Sequence, residues 1–523
     1  MLQPKQSRNY VTGLAAACSL LLIACSPEEV RQVNLIPKPE QMTMTGGTFT
    51  VDSLALFGGQ SSRNIKTVID EAWSGNPEGY QLDVTPGGID LRAGSPDGLF
   101  YGMQTLRQLY AGGEVPCVSI RDNPRFGYRG LHLDVSRHFF SKEEVMKLLD
   151  VMSFYKLNTL HMHLTDAGGW RIEIDKYPKL TSETAFRTES DWWDGRDRKY
   201  LPEGTPGAYG GSYTKEGIRE IVKHAASKHI NIIPEIEFPG HSEEVLMAYP
   251  ELSCSGKPYQ NGDFCIGNEQ SFTFMEDVLA IDLFPSEYIH VGGDEAGKSA
   301  WKKCPKCQAL MKEKGMKNVD ELQSYMIHRA EEFLNSKDRK LIGWDEILEG
   351  GLAPEATVMS WRGEDGGIKS ARMGHDVVMT PGNYMYLDFY QADPKTQPYA
   401  IGGYTPIKKV YSYDPVPADS LTAEECRHIL GVQANTWTEY IQTPEHLEYM
   451  MFPRALAVAE IGWTPQELRT WEDFKLRMNA HISKLQGMGI RTFTLSDELE
   501  VTMQVDTAGR KIEVILDAEK YPA

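Results

Sequence analysis

Two carboxylic acids stand side by side where a short apolar run ends, in Tyr288-Ile-His-Val-Gly-Gly-Asp-Glu295. Tyr288, Ile289 and Val291 are β-branched or aromatic, as in a strand buried on both faces. The two glycines let the backbone approach a neighbour closely, and Asp294 and Glu295 follow at the strand end. Burial raises a carboxyl pKa and an adjacent carboxylate raises it further, so one member of such a pair can hold a proton near neutral pH. That is what a general acid requires. The competing reading makes Asp294-Glu295 an acidic helix N-cap at the positive end of the next helix. The residues that other strand ends supply decide between the two.

The elements that must position this pair are legible as a rhythm. Beyond Asp122-Asn-Pro-Arg125, where turn formers interrupt the pattern, buried-type strands alternate with helical stretches. Eight strands are expected: Gly130–Val135, Thr159–Leu164, Asn231–Ile236, Tyr288–Val291, Lys340–Trp344, Thr357–Trp361, Asp376–Thr380 and Leu430–Ala434. Helices are expected over Lys142–Tyr155, Thr214–Lys228, Phe272–Asp282, Glu321–Ser336 and Glu445–Glu460. Eight βα repeats of this size predict an α/β fold, a (β/α)8 TIM barrel over residues 123–489. A doubly wound open sheet is the rival, but no Gly-rich phosphate fingerprint follows the first strand. Residues 33–122 mix short strands (49–51, 81–84, 88–91) with one helix, Ser95–Tyr110, and predict a small α+β domain. Residues 490–523 are expected to be a C-terminal β-extension.

In such a barrel the chemistry sits at the carboxyl ends of the strands. Those ends supply Arg137 and His138, His163 and Asp166, Glu235, Glu237 and His241, and then Asp294 and Glu295. Later ends add Trp344, Asp345, Glu346, Trp361, Tyr384, Tyr386, Asp388, Trp437 and Glu439. Singly, each has a structural explanation as core, cap or salt-bridge partner. At one rim they describe a pocket with aromatic walls and an acid pair, and the cap reading recedes. Paired carboxylates, an aromatic box and no nucleophile motif point to glycosidic bond cleavage.

Composition is consistent with this. Ten Trp and 24 Tyr offer platforms for sugar faces, and a net charge of −19 argues against a nucleic-acid partner. The N-terminus reads as an address: Lys5 and Arg8 precede an apolar run ending Leu22-Ile-Ala-Cys25. This run resembles the lipobox of bacterial lipoproteins, with residues 1–24 the signal peptide and Cys25 the lipidated residue. An ordinary secretory signal is the alternative. Residues 25–32 form a tether, so the expected product is exported and lipid-anchored to an envelope membrane.

The residues at the strand ends carry a closer likeness. Gly130-Leu-His-Leu-Asp-Val-Ser-Arg137, His161-Met-His-Leu-Thr-Asp166, Pro239-Gly-His241, His290-Val-Gly-Gly-Asp-Glu295, Gly343-Trp344, Met359-Ser-Trp361, Tyr386-Leu-Asp388 and Asn435-Thr-Trp-Thr-Glu439 resemble the family 20 glycoside hydrolases, the β-N-acetylhexosaminidases. The resemblance runs from about Val33 to Gly489. It implies exo-acting, retaining hydrolysis of terminal β-linked N-acetylglucosamine or N-acetylgalactosamine, with the substrate's acetamido group as nucleophile. Glu295 would be the acid and Asp294 the group that orients the acetamide. Trp344, Trp361 and Trp437 would wall in the acetamide and the sugar face, with Tyr386 on its carbonyl oxygen. Arg137, Asp388 and Glu439 would hold ring hydroxyls, and Asp166 and His241 would support the acid pair. No metal or cofactor is implied. An endo-acting, chitinase-like enzyme and a non-catalytic carbohydrate-binding lipoprotein remain as alternatives. Asp191-Trp-Trp-Asp194 could stack on the leaving-group sugar or simply pack a loop.

Discounting Cys18 and Cys25, six cysteines remain: Cys117, Cys254, Cys265, Cys304, Cys307 and Cys426. Cys304-Pro-Lys-Cys307 reads as a local disulfide, a redox pair, or half a zinc site with Cys254 and Cys265. Export and the irregular spacing of the second pair favour local disulfides, Cys254–Cys265 and Cys304–Cys307.

Overall fold

The computed structural model describes residues 33–57, 63–188, 199–495, 500–506 and 510–517. The lipobox with Cys25 and the Asp191–Asp194 stretch lie outside these residues. Five strands come first: β1 (Gln41–Thr50), β2 (Ile65–Ile69), β3 (Tyr80–Thr85), β4 (Gly88–Ala93) and β5 (Glu114–Asp122). They form one sheet in the order β1-β5-β3-β4-β2, with only β2 and β4 parallel. The helix Pro96–Leu109 covers it, capped by Ser95, whose side chain accepts from the Asp97 and Gly98 amides.

The next strands are β6 (Tyr128–Asp134) and β7 (Thr159–His163), then a short hairpin of β8 (Phe186–Thr188) and β9 (Ala208–Gly210). After these come β10 (Asn231–Phe238), β11 (Tyr288–Gly292), β12 (Lys340–Trp344), β13 (Thr357–Ser360), β14 (Val377–Met379) and β15 (Ile429–Ala434). All but the hairpin close into an eight-stranded barrel, β10-β11-β12-β13-β14-β15-β6-β7, parallel throughout. The expected TIM barrel preceded by a smaller α/β sheet is therefore present. Strands of Leu, Ile and Val buried on both faces need helices outside them, and helices follow most strands. The exception is β12, followed by a single 3-10 turn, Asp345–Leu348. The helix expected over Glu445–Glu460 is two, Pro444–Met451 and Arg454–Trp463, because Pro453 lacks a donor and disfavours helix at Phe452. β16 (Glu500–Asp506) pairs antiparallel with β17 (Lys511–Asp517). Among the described residues no helix is long and apolar enough to cross a membrane.

The expected disulfides are corrected. All six cysteines among the described residues are free of disulfide bonds. Cys254 Sγ lies 3.8 Å from Cys307 Sγ, and Cys265 Sγ lies 3.6 Å from Cys304 and 3.8 Å from Cys307. A disulfide needs about 2.05 Å. The helix Pro305–Lys314 starts against the loop that holds Cys254 and Cys265, so the sulfurs converge between the two segments.

Candidate active site

The eleven residues to which the family resemblance gives roles all line one cavity of about 480 Å³ at the carboxyl rim of the barrel: Arg137, Asp166, His241, Asp294, Glu295, Trp344, Trp361, Tyr386, Asp388, Trp437 and Glu439. His138, His163, Glu235, Glu237, Asp345, Glu346 and Tyr384, also named at strand ends, are not part of its lining. Ala167, Glu243, Phe389 and Ile401 complete the lining. Ile401 and Phe389 come from the long segment after β14, whose irregular pattern gave no signal.

The backbone at the end of β11 explains why two glycines precede the acids. Gly292 has φ +67°, and a Cβ there would lie 1.8 Å from Glu237 Oε2. Gly293 has φ +95°, and its Cβ would meet Ile347 Cγ2 at 2.5 Å. The Gly293 carbonyl accepts from Gln323 Nε2 at 2.7 Å, which fastens the turn to the helix Asp320–Asn335. Glu295 itself holds φ +47°, an unusual conformation for a residue with a Cβ. The close neighbour that Gly292 admits is thus the Glu237 carboxyl, and the one that Gly293 admits is Ile347.

His241 joins the acid pair to the pocket floor. Its Nε2 lies 3.5 Å from Asp294 Oδ2 and 3.4 Å from Glu295 Oε2, and its Nδ1 lies 3.2 Å from Asp166 Oδ2. Burial works against its charge, but Asp166 and Asp294 outweigh this and hold the imidazolium well above the ordinary histidine value. Burial likewise opposes the Asp166 charge, and Arg137 and His241 hold that carboxyl well below its usual value. Arg137 Nη2 meets Asp166 Oδ2 at 2.7 Å, Nη1 meets Asp134 Oδ2 at 3.1 Å, and Glu439 Oε1 lies 3.8 Å away. The guanidinium sits over the Trp437 ring, 5.1 Å from its centroid. Asp134, not singled out from the sequence, positions the arginine: its Oδ1 accepts from the Ser136 and Arg137 amides at 2.8 and 3.0 Å, and its Oδ2 from the Thr438 amide at 3.0 Å. An Asp two residues before a Ser at a strand end is the signal for such a turn.

The two acids differ in environment. Burial raises the Asp294 carboxyl, with His241 only partly offsetting it. The His241 hydrogen bond lowers Glu295, against its partial burial. This reverses the expectation that the acid itself is the raised member. The reason is exposure: the Glu295 side chain is 59% accessible, so water supports its charge. A sugar seated over it would remove that water and move its pKa upward.

Four aromatic rings form a box in the same pocket. Trp344 and Trp437 have centroids 5.7 Å apart, Tyr386 and Trp437 6.4 Å, and Trp361 stacks on Tyr386 at 6.2 Å. The tryptophans on β12 and after β13 are fixed from behind: Trp344 Nε1 donates to Glu235 Oε1 at 2.7 Å and Trp361 Nε1 to Glu346 Oε2 at 2.9 Å. Tyr386 is held by a parallel bridge to Asn435 beyond β14. Glu235 in turn lies in the barrel lumen among histidines, 2.6 Å from His163 Nδ1, 3.1 Å from His161 Nε2 and 2.9 Å from His290 Nδ1. Asp294 Oδ1 and both Asp388 oxygens are buried with no hydrogen-bond partner among the described residues. Buried acceptors left this way at a pocket wall are poised for donors on a ligand.

The sequence matches the model of the glycosyl hydrolase family 20 catalytic domain over residues 126–466, and that of the family's domain 2 over residues 58–123. The chain belongs to glycoside hydrolase family 20. A β-hexosaminidase of Porphyromonas gingivalis is 42% identical over 544 residues, covering 92% of this chain and 68% of that one. A β-hexosaminidase of Akkermansia muciniphila is 34% identical over 485 residues, covering 88% and 92%. The family 20 exo-β-N-acetylglucosaminidase of Vibrio harveyi, solved with N-acetylglucosamine, superposes with a TM-score of 0.79 at 31% identity, covering 88% of this chain and 78% of that one. The β-N-acetylhexosaminidase of Bacteroides fragilis gives 0.76 at 28% identity, covering 88% and 96%. The chain is thus a hydrolase of the β-N-acetylhexosaminidase class.

Proposed function

We propose that the protein is an exo-acting, retaining β-N-acetylhexosaminidase that removes terminal β-linked N-acetylglucosamine or N-acetylgalactosamine from glycans or chito-oligosaccharides. The observation that carries this reading is the division of labour between adjacent acids. Asp294 is buried, with Oδ1 lacking a partner, on a pocket it shares with the aromatic box, whereas Glu295 stands at the open side. In the reaction, the acetamide N–H donates to Asp294, which turns the carbonyl oxygen toward the anomeric carbon. That oxygen attacks as Glu295 protonates the departing glycosidic oxygen, and the C–O bond breaks to leave an oxazolinium ion. Asp294 balances its positive charge. Glu295 then takes a proton from the water that opens the ring, restoring the acid and retaining configuration. Two carboxylates opposed across the sugar are not required, because neither side chain has to lie beneath the ring as nucleophile.

Trp344, Trp361 and Trp437 enclose the acetamide and sugar face, and Tyr386 donates to its carbonyl. Arg137, Asp388 and Glu439 take the hydroxyls at the pocket floor, with Asp388 offering two unpartnered oxygens. A floor closed by Arg137 and its three carboxylates supports exo action over an endo-acting, chitinase-like cleft. The intact acid pair counts against a purely carbohydrate-binding lipoprotein. The test compares 4-nitrophenyl N-acetyl-β-glucosaminide, its galactosaminide and the plain β-glucoside. Turnover of the acetamido sugars and near-silence on the glucoside are expected; efficient glucoside hydrolysis would remove the acetamide from the mechanism.

The N-terminal sequence supports a lipid anchor at Cys25, holding the enzyme on an envelope membrane. Cys25→Ala is expected to release the enzyme from membranes with its activity intact. An active Cys25→Ala variant that still fractionates with membranes would refute the anchor.

A further inference from the structure

Behind the acid pair, four thiols that the reaction does not use converge from two loops. Cys254 and Cys265 sit at the two ends of one loop after β10, joined by a bridge between Ser253 and Phe264 and by the Cys265 amide donating to the Leu252 carbonyl at 2.8 Å. Cys304 and Cys307 sit on the first turn of Pro305–Lys314, with Cys304 at its N-cap and making no cap hydrogen bond. All four sulfurs lie within 4.8 Å of one another. Cys265 faces both Cys304, at 3.6 Å, and Cys307, at 3.8 Å, while Cys307 also faces Cys254 at 3.8 Å.

These distances discriminate between two chemistries. Four thiolates about 2.3 Å from a tetrahedral zinc ion stand about 3.8 Å from each other. Disulfides would divide the sulfurs into two pairs at about 2.05 Å, whereas here Cys265 and Cys307 each face two neighbours at 3.6–3.8 Å. The surroundings suit a thiolate cluster. Three of the four residues are buried and the fourth is half-buried. The Gly267 amide donates to Cys307 Sγ at 3.4 Å, as backbone amides do around metal-bound sulfur. A Cβ on Gly267 would lie 2.1 Å from the Lys306 carbonyl carbon, so only glycine lets the loop reach the helix start that closely.

We propose that Cys254, Cys265, Cys304 and Cys307 bind one structural Zn²⁺ as four thiolates, clamping the loop after β10 to the segment after β11. Binding displaces the thiol protons to solvent and changes no oxidation state. Four protein ligands fill the coordination shell, so the ion holds structure and does not activate water. What it holds bears on the active site. The clamped loop follows His241, and the clamped segment follows Asp294 and Glu295. Between clamp and pocket the same two segments are tied by the Gly297 amide donating to Asp263 Oδ1 at 3.0 Å and Trp301 Nε1 donating to the Phe264 carbonyl at 2.8 Å. The ion thus fixes the spacing of His241 from the acids without touching the sugar.

The test is metal analysis of the full chain, purified without chelator from both exported and cytosolic expression. About one zinc per chain is expected from each source, released by about four equivalents of an organomercurial thiol reagent. Replacement by Co²⁺ should give thiolate charge-transfer bands and the visible bands of a tetrahedral ion. Cys304→Ser with Cys307→Ser should abolish metal binding, and Cys117→Ser should leave it unchanged. Should the double variant fail to fold, the mercurial titration and cobalt spectrum of the parent protein decide. Non-reduced peptide mapping that finds these four cysteines in two disulfides, with zinc below about a tenth per chain, overturns the proposal. Zinc retained by the double variant does so equally.

Discussion

His241 is the residue on which the pocket's electrostatics turn, because it touches Asp166, Asp294 and Glu295 at once. Its hydrogen bond holds Glu295 low, so removing it should raise the Glu295 pKa. Glu295 must carry a proton to act, and the basic limb of kcat/KM against pH reports loss of that proton. His241→Ala is therefore expected to move the basic limb to higher pH while lowering the plateau; a limb that stays put would unlink the two groups. The acids themselves separate by leaving group. Glu295→Gln should lose about 10²–10⁴-fold on an ordinary glycoside, and far less on a dinitrophenyl glycoside, whose leaving group needs no proton. Asp294→Ala misorients the nucleophile and should remain slow even with that substrate. Equal leaving-group sensitivity in both variants, read from kcat/KM across the series, would contradict the assignment. Strand-end position marked a rim of eighteen candidates, and the resemblance to family 20 singled out the eleven that line the pocket. Position alone could not separate them from His138, His163, Glu235, Glu237, Asp345, Glu346 and Tyr384, which sit at strand ends but are not in its lining. Asp134 and the lumen group of Glu235 with His161, His163 and His290 were not singled out as a unit. Their period-two spacing is that of any buried strand, and only closure of the barrel brings them together.

At the scale of elements, the eight barrel strands were legible because each is a short, β-branched run buried on both faces. β2 gave no such signal: its residues are intermediate or exposed, so no alternation marks it. β1 was read only at its end, because Gly46 and Gly47 interrupt it at a register shift. The 3-10 turn after β12 reflects packing: Ile347 there fills the space that Gly293 and Gly343 leave open. The turn after β11 is the element whose geometry most directly sets activity. Gly292→Ala places a methyl against the Glu237 carboxyl in a left-handed conformation that costs an alanine about 1–3 kcal/mol. The turn must then shift, and a displacement of about 1 Å at reacting groups can lower the rate about 10²-fold. The expected outcome is a lower Tm together with a fall in kcat of about that size. A variant with parental kcat would mean that the glycine serves neither conformation nor approach.

For the whole molecule, the question is whether the N-terminal sheet is a separate body or part of the barrel's foundation. The contacts argue for the second. Lys156, at the base of the barrel, reaches across to Asp122 Oδ2 at 3.0 Å and Tyr80 Oη at 2.9 Å, with its ammonium 4.2 Å from the Trp463 ring centroid. Trp463 Nε1 donates to Asp122 Oδ1 at 2.9 Å, and Arg129 forms two bonds of 2.9 Å to Glu78. Trp463 also packs into the hydrophobic core beneath the sheet. Burial pulls the Lys156 pKa down, and Asp122 is the group that offsets it. Asp122→Ala would leave an uncompensated buried ammonium and free the Trp463 and Tyr80 donors at once. Breaking a buried pair on one side destabilises by about 3–5 kcal/mol. If sheet and barrel unfold as one body, that loss lowers a single calorimetric transition that carries activity with it. Two transitions in the parent protein, with only the lower one moved by Asp122→Ala, would show instead that the sheet folds on its own. The pocket lies at the opposite end of the barrel from this junction, so kcat/KM below the transition should remain parental. A variant that loses activity while still folded would mean that the sheet also shapes the site.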